Sequence, residues 1–343
     1  MKFAIGYQLS DPDEESFLDL LEPYREVIGE LFFAWPGQAS GRSAVGLKGD
    51  ALASHALPRL QKDLVRAREA GFRLDILFNS NCYGADAKSV ELEKEVVSVL
   101  TRLETMAGGA DVVTTTSPAI AWIVKKRFPR VETRASVNMR IGTVEAMAYL
   151  ADLFDSFHVQ RDFNRDLGRI RELKGWADSH GKRLVMLANS GCLRNCSGQT
   201  YHDNLVAHER EAAAVESLEG FLPYTCWNHM AEPANRPAVL QSTWVRPEDL
   251  FNYDGLFDLI KLATRLHERP QAVIGAYARR SWKGNLLDLL EPGYSPLFAP
   301  KVIDNARFPA DWFKKTSECD KQCHRCRYCD TVLKETLVDL TAP

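Results

Sequence analysis

Short runs rich in apolar, β-branched and aromatic residues alternate along the chain with longer stretches whose apolar positions recur at helical spacing. The short runs cover residues 3–9, 30–34, 73–78, 111–115, 132–137, 156–160, 183–188 and 257–262. Between them, segments such as 57–70, 89–106, 143–154 and 166–180 carry the helical period. This alternation favours parallel strands joined by helical crossovers, and eight strands predict a (β/α)8, TIM-barrel-like α/β fold. The barrel domain is expected over residues 1–300. Two departures interrupt the rhythm. Residues 191–254, after the seventh strand, form a connection far longer than usual. From 301 to 343 the alternation stops and a segment rich in Lys, Arg and Cys follows, read as a Cys-rich C-terminal metal-binding tail.

In such a barrel, functional groups gather on loops at the C-terminal strand ends. Here those ends read Trp35-Pro36-Gly37, Asn79-Ser80-Asn81-Cys82, Thr116-Ser117-Pro118, Asn138-Met139-Arg140, Arg161-Asp162 and Asn189-Ser190-Gly191-Cys192. Singly, these are ordinary turn formers. Together they place Asn79, Asn138, Arg140 and Arg161 around one mouth, where amides and guanidinium groups can fork onto carboxylate or phosphate oxygens.

Composition narrows the class. With 343 residues and 45% apolar content the chain supports a buried core and is not disordered. Lys and Arg number 43 against 46 Asp and Glu, so no global positive field draws nucleic acid or anionic membrane, although a local basic groove is compatible. No apolar run approaches the ~18 residues of a membrane span. A cytoplasmic protein without a membrane span is expected.

The eight cysteines are unevenly placed, and metal or redox chemistry explains them better than disulfides. Cys319, Cys323, Cys326 and Cys329 form a C-x3-C-x2-C-x2-C array. Such short spacings suit an iron-sulfur cluster, with zinc as the alternative at this C-terminal site. The array contains the C-x3-C-x2-C of radical-SAM enzymes, but its place in a terminal tail with a fourth cysteine nearby argues against that chemistry. A second group joins Cys192, Cys196 and Cys226, and Cys82 at the end of the third strand is the expected fourth ligand. One or two clusters follow. Beyond Cys196, the polar stretch from Gln199 to Glu209 offers His202 and Glu209, seven residues apart and on one face if helical. With Asp162 they are the candidate catalytic acids and bases. No H-E-x-x-H, G-x-S-x-G, Walker or dinucleotide motif is present.

The order of motifs over about residues 1–285 resembles the collagenase-like peptidase U32 family, which includes proteins of oxygen-independent ubiquinone and RNA hydroxylation. Four segments carry the resemblance: 133–138 (Thr-Arg-Ala-Ser-Val-Asn), 154–162 (Phe-Asp-Ser-Phe-His-Val-Gln-Arg-Asp), Ser190-Gly191-Cys192-Leu193, and 244–250 leading into 257–265. The resemblance implies a barrel-like fold and, in the hydroxylation members, a 4Fe-4S cluster held around the Ser-Gly-x-Cys region. Cys192 matches the cysteine of that motif. Lys261 and Arg265 match the basic residues of the Lys-Ile-Glu-Gly-Arg segment and join the substrate-binding candidates. Asp162 stands where the family commonly has Glu, Ala263 replaces the Glu of the basic segment, and the cysteine spacing differs, so a divergent branch is implied.

These readings lead to an iron-sulfur enzyme catalysing a redox or oxygen-independent hydroxylation-type modification of an anionic small molecule or RNA. Two alternatives stand beside it. One is a peptidase or other hydrolase with a structural metal. The other is a non-catalytic iron-sulfur subunit that pairs with a protein of the same family or an electron donor.

Overall fold

The computed structural model describes residues 1–10, 14–38, 40, 41 and 51–341. Eight parallel strands close into a barrel in sequence order: β1 (Lys2–Gly6), β2 (Ile28–Ala34), β3 (Arg73–Phe78), β4 (Val112–Thr115), β5 (Glu132–Ala135), β6 (Ser156–His158), β7 (Arg183–Leu187) and β8 (Leu259–Leu262). β1 pairs with both β2 and β8, which closes the ring and leaves no free edge. All eight runs expected from the sequence contain a strand.

The helices between them are α1 (Phe17–Leu21), α2 (Ala51–Glu69), α3 (Val90–Ala107), α4 (Pro118–Arg127), α5 (Val144–Ala148) and α6 (Leu167–Ser179). Their starts are written locally. Ser89, Ser117, Thr143 and Asp166 each accept a backbone N–H from the first turn of the helix they precede. The main core lies between these helices and the outer face of the sheet, with Leu64, Val96, Val124, Leu173, Ile5, Leu31, Ile76 and Met186 buried in it. Inside the ring, Ala4, Phe32 and Leu77 form a much smaller apolar group, and charged and polar side chains occupy much of the remaining interior.

The connection after β7 folds into α7 (Gln199–Ala207), α8 (Glu209–Ala213), α9 (Thr225–Ala231) and α10 (Ala238–Gln241). After β8 come α11 (Pro270–Ala278) and α12 (Ser295–Phe298), then β9 (Lys301–Ile303), α13 (Trp312–Glu318), α14 (Tyr328–Thr336) and β10 (Leu337–Asp339). The tail that follows residue 300 is itself folded. β9 and β10 make an antiparallel pair, and Trp312, Val332 and Leu333 bury their side chains in a second core with Met230, Trp244, Leu287 and Tyr294. Those apolar residues are too sparse in a basic stretch to announce themselves, and they are buried only because the connection after β7 supplies the other half of the core.

Trp244 is the hub of that second core. It stacks on Trp312 with ring centroids 5.9 Å apart, and the guanidinium of Arg165 lies 5.2 Å from one ring and 5.4 Å from the other. Arg165 follows β6, so this stack fastens tail to barrel. Among the described residues no helix is long and apolar enough to cross a membrane.

Candidate active site at the barrel mouth

The floor of the site is an ion network inside the ring. Alternation along a strand points every second side chain inward, and here that set includes Glu30, Asp75, Glu132, Arg134, Ser156, His158 and Lys261, all buried. Arg134 donates to both oxygens of Glu30 (2.5 and 3.0 Å), to Glu132 (3.0 Å) and to the Ser156 hydroxyl (3.0 Å), and it stands 3.5 Å from Asp75. Burial pushes the Glu132 carboxyl up, but the charge of Arg134 and the hydrogen bonds from Arg73 and Ser156 outweigh it, and the group falls to about 2. Asp75 goes the other way. Burial, reinforced by Glu30, lifts it to about 7 against the pull of Arg134 and Lys261.

This raised acid makes stability depend on pH in a defined direction. A carboxyl that binds its proton more tightly when folded stabilises the fold at pH values below the ordinary carboxylate range, and that contribution is lost as pH rises through about 7. The stability advantage of wild type over Asp75→Asn is therefore expected to shrink steadily between pH 5 and 8 in urea unfolding. A difference that stays flat or grows across that interval contradicts the assignment.

Above the network, a cavity of about 80 Å³ opens at the C-terminal strand ends. Asn79, Asn138, Arg161, Lys261, Arg265 and Glu291 supply its charged and amide lining, and Phe32, Leu77 and Leu187 its apolar wall. Asn79 follows β3 directly and accepts the Gly41 amide at 3.0 Å. A Cβ at 41 would stand 2.6 Å from Asn138 Nδ2 and 2.9 Å from Asn79 Nδ2, so any larger residue there would displace the two amides that line the cavity. Arg265 donates to the Ser40 hydroxyl at 3.0 Å. Lys261 places its ammonium 3.7 Å from the centre of the Phe32 ring. Burial, with Arg134 and Arg265 adding to it and Asp75 and Glu30 opposing, brings that amine down to about 8. Three basic residues, each at most 9% exposed, thus face a small cavity whose lining includes one carboxylate, Glu291. Such a site suits an anion with a few heavy atoms.

Five of the six expected substrate-binding residues meet there. The sixth, Arg140, does not line the cavity. It donates to the Thr200 hydroxyl (2.9 Å) and pairs with Asp203 (3.8 Å), tying α7 to the mouth. A larger cleft of about 950 Å³ lies at the opposite end of the barrel. Its charges are held in structural pairs such as Arg73 with Glu132 (2.5 Å), Arg183 with Glu132 (2.5 Å) and Lys125 with Asp155 (2.6 Å).

The expected catalytic trio is dispersed relative to the cavity. Asp162 accepts from Gln160 (2.8 Å) and from the backbone amide of Asn195 (2.6 Å), so it pins the cysteine loop. His202 packs edge-on against Tyr224 with centroids 5.2 Å apart. The helix breaks at His208, so Glu209 begins α8 and is exposed, and it does not share a continuous helical face with His202. Sequence reasoning does not reach Glu291, Glu30, Asp75, Arg134 or His158. A charge inside an apolar strand run is the available signal for Glu30 and Asp75, whereas Arg134 stands in a largely polar run and Glu291 has no signal.

All eight cysteines are free thiols. Cys192, Cys196 and Cys226 stand within electrostatic reach of one another and of Tyr294, whose hydroxyl is hydrogen-bonded to Cys226 and donates to the Gly191 carbonyl at 3.0 Å. Burial raises both the Cys196 and Cys226 thiols. Cys82 accepts the Gly84 amide at 3.4 Å, and its neighbour Asn81 donates to Asp203 of α7 at 3.0 Å. In the tail, burial lifts Cys329 to about 11 against the charge of Arg165, with Cys323, Cys319 and Cys326 adding to the rise. Lys321 donates to Cys319 (3.2 Å), and Arg194 donates to Cys323 (3.0 Å). Because Arg194 lies between Cys192 and Cys196, it joins the two cysteine groups.

The donor set fits a thiolate-held group, since each cysteine group offers several sulfur ligands, and Lys321 and Arg194 already donate to sulfur in the tail. Among the described residues no three His, Cys, Asp or Glu side chains are gathered around a single ion position. A cluster spaces its thiolates more widely than one ion does, because inorganic sulfide intervenes.

Together these features define a (β/α)8 barrel protein with a small cavity at its mouth lined by Arg161, Lys261 and Arg265. No family model matches the chain. Over 286 residues it is 24% identical to the uncharacterized protease MJ1657 of Methanocaldococcus jannaschii, covering 81% of each chain. Among solved structures it is similar to the U32 peptidase Mk0906, with a TM-score of 0.54 and 13% identity, covering 76% of this chain and 91% of that one. The likeness to Mk0906 is one of fold, the same barrel in both chains.

Proposed function

We propose that this chain is a U32-like iron-sulfur enzyme that binds an anionic small molecule, or an anionic group of RNA, in the barrel mouth and modifies it by redox or oxygen-independent hydroxylation-type chemistry. Cys192, Cys196 and Cys226, with Cys82, would hold the centre beside the substrate. Cys319, Cys323, Cys326 and Cys329 would hold a second. Such clusters supply one-electron transfer when bound. The chain's own part is to bind and orient the anion through Arg161 and Arg265 and to tie the loop that carries Cys192 to the cavity-lining segment at Glu291.

The observation that carries this reading is the splice between cavity and cysteine loop. Glu291, which lines the cavity, gives its backbone carbonyl to the Gly191 amide at 3.0 Å, one residue before Cys192. A Cβ at Gly191 would collide with the Pro292 carbonyl, so the close approach of the two chain segments requires glycine there. Iron and acid-labile sulfide, measured on anaerobically purified protein, test the reading. Both are expected, with about half lost in Cys192→Ser/Cys196→Ser and the remainder in a variant of the tail quartet. Zinc alone, or no metal, defeats it.

A peptidase is the second reading, because one of the two similar proteins is named a protease and the other a peptidase. Peptide cleavage that survives removal of iron but not Cys192→Ser would establish it.

A further inference from the structure

We propose that Lys261 is a nucleophilic amine that captures a small 2-oxo acid as a Schiff base at the floor of the mouth cavity. The inference rests on the mouth being the ligand site and is independent of any metal. Three features of the geometry carry it. The amine lies on the face of Phe32, 3.7 Å from the ring centre, and lines the cavity rather than ending in solvent. Arg161 and Arg265 line the same cavity and provide guanidinium groups for a carboxylate, while Asn79 and Asn138 offer amides to a carbonyl oxygen. A volume of about 80 Å³ admits only a few heavy atoms, which limits the partner to a compact oxo acid.

The surroundings favour the neutral amine. Burial lowers Lys261 to about 8, with Arg134 of β5 and Arg265 beyond β8 adding to the effect, and Asp75 of β3 and Glu30 of β2 opposing it. His158 of β6 is within electrostatic reach and is itself held neutral by burial and by the charges of Lys261 and Arg134. Its Nδ1 is bonded to the Ala135 carbonyl at 3.0 Å, and its buried Nε2 has no partner among the described residues. At pH 7 a lysine of this kind is neutral on the order of a hundredfold more often than an exposed one.

In the step itself, the amine lone pair attacks the carbonyl carbon and a C–N bond forms as the C=O π pair takes up a proton. The resulting carbinolamine loses its hydroxyl as water while C=N forms. Both amine hydrogens leave in that water, and no oxidant or reductant is consumed. The carboxylate stays on the arginines. The imine then serves as an electron sink for reaction at the adjacent carbon, a role suited to a desolvated lysine.

Glyoxylate with cyanoborohydride tests the proposal on the full wild-type chain, because reduction freezes the imine as a carboxymethyl-lysine that peptide mass mapping locates. Lys261 is expected to be labelled about tenfold or more faster than the exposed lysines at pH 7, with a rate that rises through pH 8 and then levels. Arg265→Gln should slow that labelling about tenfold while leaving exposed lysines unchanged. Lys261→Met should abolish it at this position. Oxalate, which lacks a reactive carbonyl, serves as the binding probe in parallel calorimetry. If oxalate binds wild type but not Arg265→Gln and Lys261 is labelled no faster than exposed lysines, the amine proposal falls and the anion site stands. If neither occurs, both fall.

Discussion

Arg134→Met is expected to remove about 3–5 kcal/mol of folding stability, a large share of the roughly 5–15 kcal/mol that a domain possesses. The dominant cost is a buried carboxylate deprived of its counter-charge. Glu132 keeps Arg73 and Arg183 at 2.5 Å each, and Asp75 holds a proton up to about pH 7, so neither is stranded at pH 6. Glu30 loses most. Its side chain is 1% exposed, its remaining ion-pair partner among the described residues is Arg73 at 3.6 Å, and Lys261 reaches it only electrostatically. Adding Glu30→Gln to Arg134→Met should therefore recover much of the loss, in a denaturant titration that compares the two variants. If the double variant is no more stable than the single one, the network does not work as described.

The second large effect is expected at Arg165, whose replacement by Ala should cost about 2–4 kcal/mol and loosen one part of the molecule. Its guanidinium sits against Trp244 and Trp312 and donates to the Leu240 (3.0 Å) and Ser242 (2.5 Å) carbonyls. Hydrogen bonds from a charged donor contribute about 1.5–3 kcal/mol, and a desolvated cation over an aromatic face about 2, partly offset by Nη1, which has no hydrogen-bond partner among the described residues. Because that stack links barrel to tail, faster amide exchange should appear in α13 and α14 while the barrel strands stay protected. Lys should not restore protection, since a compact ammonium lacks the planar fork that lies beside both rings and reaches two carbonyls. Unchanged exchange in the tail helices would place the docking energy elsewhere.

The mouth was legible because its residues sit at fixed offsets from strands. Asn79, Asn138 and Arg161 follow the third, fifth and sixth runs directly, and a parallel barrel sends every such position to one end. Arg140 shows how narrow that inference is. At φ 54° its backbone turns into the left-handed region, and its side chain reaches α7 instead of the cavity. His202 and Glu209 are separated for a related reason, because the helix expected to carry both breaks between them. The charged interior was half visible. Glu30, Asp75 and Lys261 interrupt apolar runs, but a strand covered on both faces gives no indication of which parity points inward.

The sequence by itself determined the eightfold alternation, the helix starts and the polar strand ends, since these depend on local period and capping chemistry. Only the tertiary structure decided that Arg134 gathers three carboxylates, that Arg165 clamps the tail, and that Arg194 stands between two sets of thiols. Those pairings join residues from distant parts of the chain, and they exist only because ring closure and packing of the second core bring their backbones close enough for the side chains to meet.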